Sequence, residues 1–144
     1  MEKHFSLSDE LPDDARLDIP LLNSLMEKGL PLSAEEMLMT DWDLSYFTSY
    51  EEAYNSIMIA LVELQAKSTD LVLAGGSVNR IFVDGGFTRN PVYLHLLAKA
   101  YPDREVFAAE VAQASALGAA RVMHAHWNTS SEPADLIAYR HIPM

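Results

Sequence analysis

The sequence contains no cysteine, which excludes disulfide bonds and cysteine-ligated zinc sites. Long apolar runs are also missing, because no stretch of the chain is apolar over the length needed to cross a bilayer. The N-terminus, Met-Glu-Lys-His-Phe, lacks the apolar segment of a secretory signal peptide. We therefore expect a cytoplasmic protein with no membrane partner.

Basic residues are scarce. The chain has 10 Lys and Arg against 21 Asp and Glu, for a formal net charge of −11. The imbalance lies at the front, where residues 1–52 hold 13 acidic and 3 basic side chains. Because nucleic-acid binding needs a basic face, we expect no nucleic-acid partner. The acidic front is interpreted as a solvated surface rather than a docking face for a basic partner.

Several catalytic and cofactor motifs are absent as well. The chain has no Gly-x-Gly-x-x-Gly dinucleotide fingerprint, no phosphate loop ending in Gly-Lys-Ser/Thr, and no Gly-x-Ser-x-Gly nucleophile motif. Of the 5 histidines, His124 and His126 lie closest together. Residues two apart on a helix point in different directions, so we predict no metal site on this pair.

The length of 144 residues suits about one domain. In the first half we predict a helix over residues 20–28, a short helix after Ser33, and a long helix that begins at Ser49 and ends near residues 67–69. Residues 71–74 read either as an apolar loop or as a strand in a hairpin with residues 81–83. The aromatic cluster before the long helix is interpreted as packing around the helix entry rather than as a stacking surface for a base or sugar: Trp42, Tyr46, Phe47, Tyr50 and Tyr54.

In the second half, strand and helix patterns alternate, which predicts an α/β fold. A buried strand at residues 81–83 precedes a helix that begins at Asn90-Pro91 and stops before Pro102. A short strand at 105–107 precedes an alanine-rich segment at 112–120, which we interpret as a tightly packed core helix. Residues 136–139 are predicted to form a terminal strand.

The glycine turn after the first of these strands is the main candidate site. Asp84-Gly85-Gly86 allows positive φ, and with no Cβ it lets a ligand lie against the main chain. The helix start that follows offers free N–H groups and positive partial charge, which suits an anionic or nucleotide ligand. For Asp84 we prefer a role as hydrogen-bond acceptor within its own turn over a catalytic role.

Two motifs in this half carry a family resemblance. Val83-Asp84-Gly85-Gly86 followed by Asn90, and the later segment Ala114-Ser115-Ala116-Leu117-Gly118-Ala119-Ala120, resemble the C-terminal part of FGGY-family carbohydrate kinases. The similarity covers roughly residues 50–127. It implies a partial actin-like (ribonuclease H-like) ATPase lobe, α/β in class, with short helices and loop at the N-terminus.

Enzymes of this family move the γ-phosphate of Mg-ATP to a sugar hydroxyl. By this resemblance, Gly85 and Gly86 would contact the nucleotide through their backbone, and Asn90 would lie near the adenine. ATP with Mg²⁺ would be the co-substrate, with the Mg²⁺ ligands outside this chain. No catalytic residue is assigned, since the family's Asp-x-Gly-Thr phosphate loop and its Gly-Asp-Gln segment with the catalytic Asp are missing.

We therefore interpret the chain as the nucleotide-side C-terminal fragment of a sugar kinase, inactive without its N-terminal lobe. Residues 1–48 would form an acidic, loop-rich segment, and residues 49–144 the α/β portion. An exposed apolar patch and self-association are expected of such a fragment. The alternative is a non-catalytic interaction module that kept the fold and lost the reaction. The sugar substrate is not predicted, because its ligands would lie outside this chain.

Overall fold

The structure is a computed structural model that describes residues 16–38, 43–110, 114–131 and 138–144. Within these ranges, helices and strands form a mixed fold that is compatible with the predicted α/β class. The helices are α1 (Ile19–Lys28), α2 (Ala34–Met37), α3 (Tyr50–Leu73), α4 (Pro91–Ala100) and α5 (Ala114–Trp127), and the strands are β1 (Arg80–Val83), β2 (Glu105–Ala109) and β3 (Tyr139–Ile142). Short 3₁₀ turns lie at Leu44–Tyr46 and Gly86–Arg89. No helix of the described part is long and apolar enough to cross a membrane.

The strands form one small sheet in the order β1-β2-β3. β1 and β2 run parallel, with Arg80 opposite Glu105 and Val83 opposite Ala108. α4 connects them, as a parallel pair requires a crossover between its strands. β3 pairs with β2 in the antiparallel direction. The carboxyl ends of β1 and β2 therefore meet at one edge of the sheet.

The core lies between the sheet and the helices. Val83, Val106 and Ala108 point toward α4, whose apolar side is buried together with part of α3. Leu22 of α1 belongs to the same core and has no exposed surface. A second cluster around Phe47 joins α2 to α3. Residues before and after position 48 thus pack in the same clusters. The predicted division into segments 1–48 and 49–144 stays a proposal.

Helix starts agree with the sequence. Asp18 accepts a hydrogen bond from the Leu21 N–H at 2.9 Å at the start of α1, and Ser33 with Glu36 forms the predicted capping box of α2. α1 ends at Gly29, which has a φ of 79°. At α3, Ser49 caps the Glu52 N–H. The Glu52 carboxylate bonds Thr48 and Lys28.

The end of α3 differs from the prediction. The helix continues to Leu73, so both the predicted end at residues 67–69 and the strand or loop at 71–74 are wrong. No residue between Lys67 and Ala74 breaks a helix, and a positive φ, 76°, comes only at Gly75, just after the helix. Leu71 and Val72 are apolar but exposed, whereas Leu73 on the same final turn is buried in the core.

The helix predicted in the alanine-rich segment at residues 112–120 forms over its described part, but the prediction that it packs tightly in the core is wrong. Residues 112 and 113 lie outside the described ranges, and α5 begins at Ala114. Along the helix, none of the side chains described is buried, and Val122, Met123 and Trp127 are largely exposed. Alanine favours the helix, and glycine permits another backbone to approach closely. Both residues offer little apolar area to hold a helix against a core.

β1 forms where predicted, yet only Val83 on it is buried. Successive side chains of a strand point to opposite faces, so Phe82 points away from α4 and is 53% exposed. It belongs to an aromatic face, which we define as Phe82, Phe107, Tyr139 and His141. The Phe82 ring centroid lies 5.3 Å from that of Phe107 and 4.8 Å from that of Tyr139.

Other sequence predictions also fall partly outside the described ranges, among them the acidic, loop-rich segment at residues 1–48, of which residues 1–15 and 39–42 are not described. The predicted terminal strand at 136–139 is observed as β3 from Tyr139 onward, and residues 136 and 137 are not described. In the aromatic cluster before α3, Trp42 is not described. Phe47 is buried as expected for packing at the helix entry, whereas Tyr46 is 51% exposed and does not fit that prediction.

Candidate functional site

The glycine turn lies at the carboxyl end of β1. Gly85 has φ 82° and ψ −155°, a conformation that L-residues rarely adopt. Gly86 then begins the 3₁₀ turn that leads to α4. Thr88 closes this turn, because its N–H and its hydroxyl donate to the Gly85 carbonyl oxygen at 3.2 and 2.8 Å. Thr88 is buried, so the turn is fixed from the inside.

Gly85 and Gly86 differ in whether the backbone conformation requires glycine. Only Gly85 has the positive φ that we expected of the pair. Gly86 has an ordinary φ, and a Cβ added at either position would meet no atom within 4 Å. Both residues are exposed. Since neither the backbone nor the packing requires glycine at position 86, the open space above it is available to a ligand.

Asn90 is tied into the protein. Its Oδ1 accepts from the Tyr93 N–H at 3.0 Å, which confirms the predicted N-cap of α4. Its Nδ2 donates to the Tyr54 hydroxyl at 2.7 Å and approaches the Met58 sulfur at 3.7 Å. The amide therefore joins the end of the glycine turn to α3 and has its hydrogen-bonding groups engaged.

Charged side chains of both signs surround this edge of the sheet. Asp84 follows β1 and Glu110 follows β2, and both are exposed. Asp84 makes no hydrogen bond to the described residues, so its expected role as an acceptor within the turn is not observed; the turn is closed instead by Thr88, which donates to the Gly85 carbonyl oxygen. Arg89 ends the 3₁₀ turn, and Arg140 of β3 extends a guanidinium Nη2 to the Thr88 carbonyl oxygen at 3.4 Å.

No metal centre is found in the residues that the structure describes, where no three His, Cys, Asp or Glu side chains group together. His124 is near Asn128, with 2.9 Å between Nε2 and Nδ2, and its ring meets Trp127 edge-on. His141 packs its ring edge-on against Phe107 in the aromatic face. His4 lies outside the described ranges.

An apolar hollow of about 160 Å³ lies between α1, α3 and α4. Its walls are chiefly aliphatic, and Glu63 and Lys99 are the charged groups among its lining residues. The Lys99 ammonium donates to the side-chain carbonyl oxygen of Asn23 at 2.7 Å. No set of polar groups converges in this hollow, so the glycine turn stays the candidate site.

Comparison with known proteins identifies a family. The family description "Carbohydrate kinase FGGY, C-terminal domain" matches residues 44–132, which is more than half of the chain. The chain belongs to the FGGY carbohydrate kinase family. The matched range includes α3, the glycine turn, α4, β2 and α5, and leaves α1, α2 and β3 outside. No curated protein and no solved structure matches the chain.

Membership confirms the resemblance seen in the sequence and gives the chain a functional class. The FGGY family consists of carbohydrate kinases, for which ATP is in general the co-substrate. A C-terminal domain of this family implies an N-terminal domain as its partner in the full enzyme.

Sequence reasoning named Gly85, Gly86 and Asn90, and the structure brings all three to one edge of the sheet. It missed Thr88 and Arg140. The position of Thr88 three residues after Gly85 is a local signal that could have been read, since Ser and Thr hydroxyls commonly close turns. Arg140 carries no such signal, because only β-sheet pairing brings it to the turn.

Proposed function

We propose that this chain forms the nucleotide side of an ATP-dependent carbohydrate kinase, built as part of an actin-like ATPase lobe. The family match supports the reaction class. The order of β1, glycine turn, α4 and parallel β2 supports the placement of the ligand, because α/β sheets bind ligands outside the carboxyl ends of their strands.

The observation that carries the proposal is the open backbone at Gly86. In this proposal the nucleotide lies against the main chain of Gly85 and Gly86, where no side chain intervenes. Asn90 lies near the adenine. Its side chain holds α4 and α3 in place, so we assign it a positioning role rather than a direct reading of the base.

Phosphoryl transfer itself needs groups that this sequence does not contain. Kinases require a positioned base, a bound Mg²⁺ and charge stabilisation around the transferred phosphate. The 144 residues include neither an Asp-x-Gly-Thr loop nor a Gly-Asp-Gln segment. We therefore assign these groups to the N-terminal domain partner and expect no sugar phosphorylation by this chain alone.

The aromatic face is proposed to be an association surface. Phe82 and Tyr139 expose much of their rings there, and the neighbouring charges of Arg80 and Glu105 are paired at 2.9 Å. Because this surface carries little net charge in a chain of −11, two copies can meet there with little repulsion. We propose that it binds a second copy of this chain when the N-terminal domain is absent.

The turn is tested by Gly86→Val, with binding of ATP and ADP measured by titration calorimetry. Since a Cβ at position 86 meets no protein atom within 4 Å, we expect an unchanged fold. The affinity for ATP should fall at least about tenfold because the valine occupies the space of the ligand.

Gly76→Val is the matched control. Gly76 has no positive φ, and a Cβ there makes only ordinary contacts, to the Leu73 carbonyl at 3.6 Å and to Val78 at 3.8 Å. It lies before β1, at the opposite end of the strand, so ATP binding should be retained. Equal ATP affinity in Gly86→Val and the original protein would overturn the assignment of the turn.

A further inference from the structure

Arg140 reaches the candidate site from a part of the chain that lies after the family match. It is on β3 opposite Ala108 of β2, close to the carboxyl end of the parallel strands. The family match ends at residue 132. β3 therefore adds a cation to an edge of the sheet that the matched domain forms.

The contact that Arg140 makes leaves most of its guanidinium available. Nη2 donates to the Thr88 carbonyl oxygen at 3.4 Å, which is longer than the usual range for such bonds. Arg140 is exposed, and a guanidinium has five N–H donors. The Thr88 carbonyl thus holds Arg140 beside the glycine turn, and the remaining donors can bind an anion.

The charges at this edge make each arginine important. Asp84 and Glu110 at the strand ends carry two negative charges, and Arg89 and Arg140 carry two positive charges. Removal of one arginine leaves the edge net negative, in a chain that is already at −11. A polyphosphate would then meet repulsion as well as lose a donor.

We infer that Arg140 binds the phosphate groups of the nucleotide and thereby favours nucleotides over nucleosides at the glycine turn. This inference rests on the proposed function. Guanidinium groups suit this role because their planar fork of donors matches the oxygens of a phosphate.

The experiment measures the affinities of ATP and of adenosine for the chain and for Arg140→Gln at low ionic strength. We expect ATP to bind roughly three- to tenfold more weakly to the variant, as befits an exposed charge contact. Adenosine, which lacks phosphate, should bind equally well to both. The loss for ATP should shrink as salt is added.

Arg104→Gln is the matched control. Arg104 also donates to a backbone carbonyl, that of Val78, but it lies just before β2 at the opposite edge of the sheet. The change in total charge is the same, so an ATP affinity that falls only in Arg140→Gln assigns the effect to the site. Arg140→Lys, which keeps the charge, should recover part of the ATP affinity.

Two results would overturn the inference. ATP affinity unchanged in Arg140→Gln, with Gly86→Val still defective, removes Arg140 from the site and leaves the proposed function standing. Equal losses for ATP and adenosine would make Arg140 a support of the turn only. If the original protein binds neither compound, the proposed function and this inference fail together.

Discussion

Glu52 is the residue whose contacts most clearly join separate parts of the chain. Its carboxylate accepts from the Thr48 hydroxyl at 2.6 Å, the Thr48 N–H at 2.7 Å and the Lys28 ammonium at 3.0 Å. The side chain is only 12% exposed. The bonds from Thr48, followed by that from Lys28, lower the pKa of Glu52 to about 2. The charged carboxylate thus holds the end of α1 against the start of α3.

This predicts a stability that depends on pH. A carboxyl whose pKa is lowered in the folded state stabilises the fold above its unfolded pKa of about 4.3, and this contribution is lost as the pH falls toward 2. Glu52→Gln should lower the free energy of unfolding at pH 7 by about 1 kcal/mol, with a shallower decline between pH 5 and pH 2. Urea denaturation at several pH values measures both effects.

The control for this change is Glu51→Gln, the same substitution one residue earlier. Glu51 is exposed and its carboxylate makes no hydrogen bond to the described residues, so the pH profile should stay close to that of the original protein. If both variants lose stability in parallel with pH, the contacts of Glu52 are not the source of the effect.

At this scale the sequence predicts local bonds and misses distant ones. Asn90 is recognisable as an N-cap from its own residue type and from the residues that follow it directly in the sequence. Its second bond, to Tyr54 across 36 positions of sequence, depends on how α3 and α4 pack. The contact between Arg140 and the Thr88 carbonyl oxygen also joins residues that are far apart in the sequence.

Among the helices, the limits of α4 were predictable from the sequence, whereas α5 was predictable as a helix but not as an exposed one. α4 has a cap, a proline at its first position and a second proline after its end, so neighbouring residues in the sequence determine where it begins and ends. Whether α5 packs on a core depends on surfaces elsewhere in the fold, which composition does not reveal. The same holds for Phe82, whose residue type indicates a strand but does not indicate that one face of the sheet stays uncovered.

The exposed state of α5 gives a direct test in Gly118→Ala. A Cβ at Gly118 meets no atom within 4 Å, so the replacement gains helix propensity without a clash. We expect the free energy of unfolding, followed by circular dichroism, to rise by up to about 1 kcal/mol. Ala119→Gly, an exposed neighbour, should show a loss of similar size. A destabilised Gly118→Ala would mean that another backbone approaches α5 closely.

Taken as a whole, the molecule presents the aromatic face to solvent, and this predicts weak self-association. Three short strands offer less than the roughly 800 Å² per partner of a typical stable interface, so dimers should form only at high concentration. Light scattering should show a rising mass with concentration for the original protein. Phe82→Ser should abolish the rise, because it removes a largely exposed ring that contacts those of Phe107 and Tyr139.

Leu71→Ser is the control, since Leu71 is an exposed apolar residue on the last turn of α3 and does not belong to the sheet. This variant should associate as the original protein does. A monomer at every concentration in the original protein would show that the aromatic face does not bind a second copy.

Leu22 has a practical implication for laboratory work with this family. The recognisable family portion begins at residue 44, but this leucine, fully enclosed beside α3 and α4, comes from the stretch ahead of it. A recombinant version trimmed to the recognisable portion would lack Leu22 and would expose to water the apolar surface of α3 and α4 that it covers. Expression plasmids should therefore retain α1, even though family recognition ignores it.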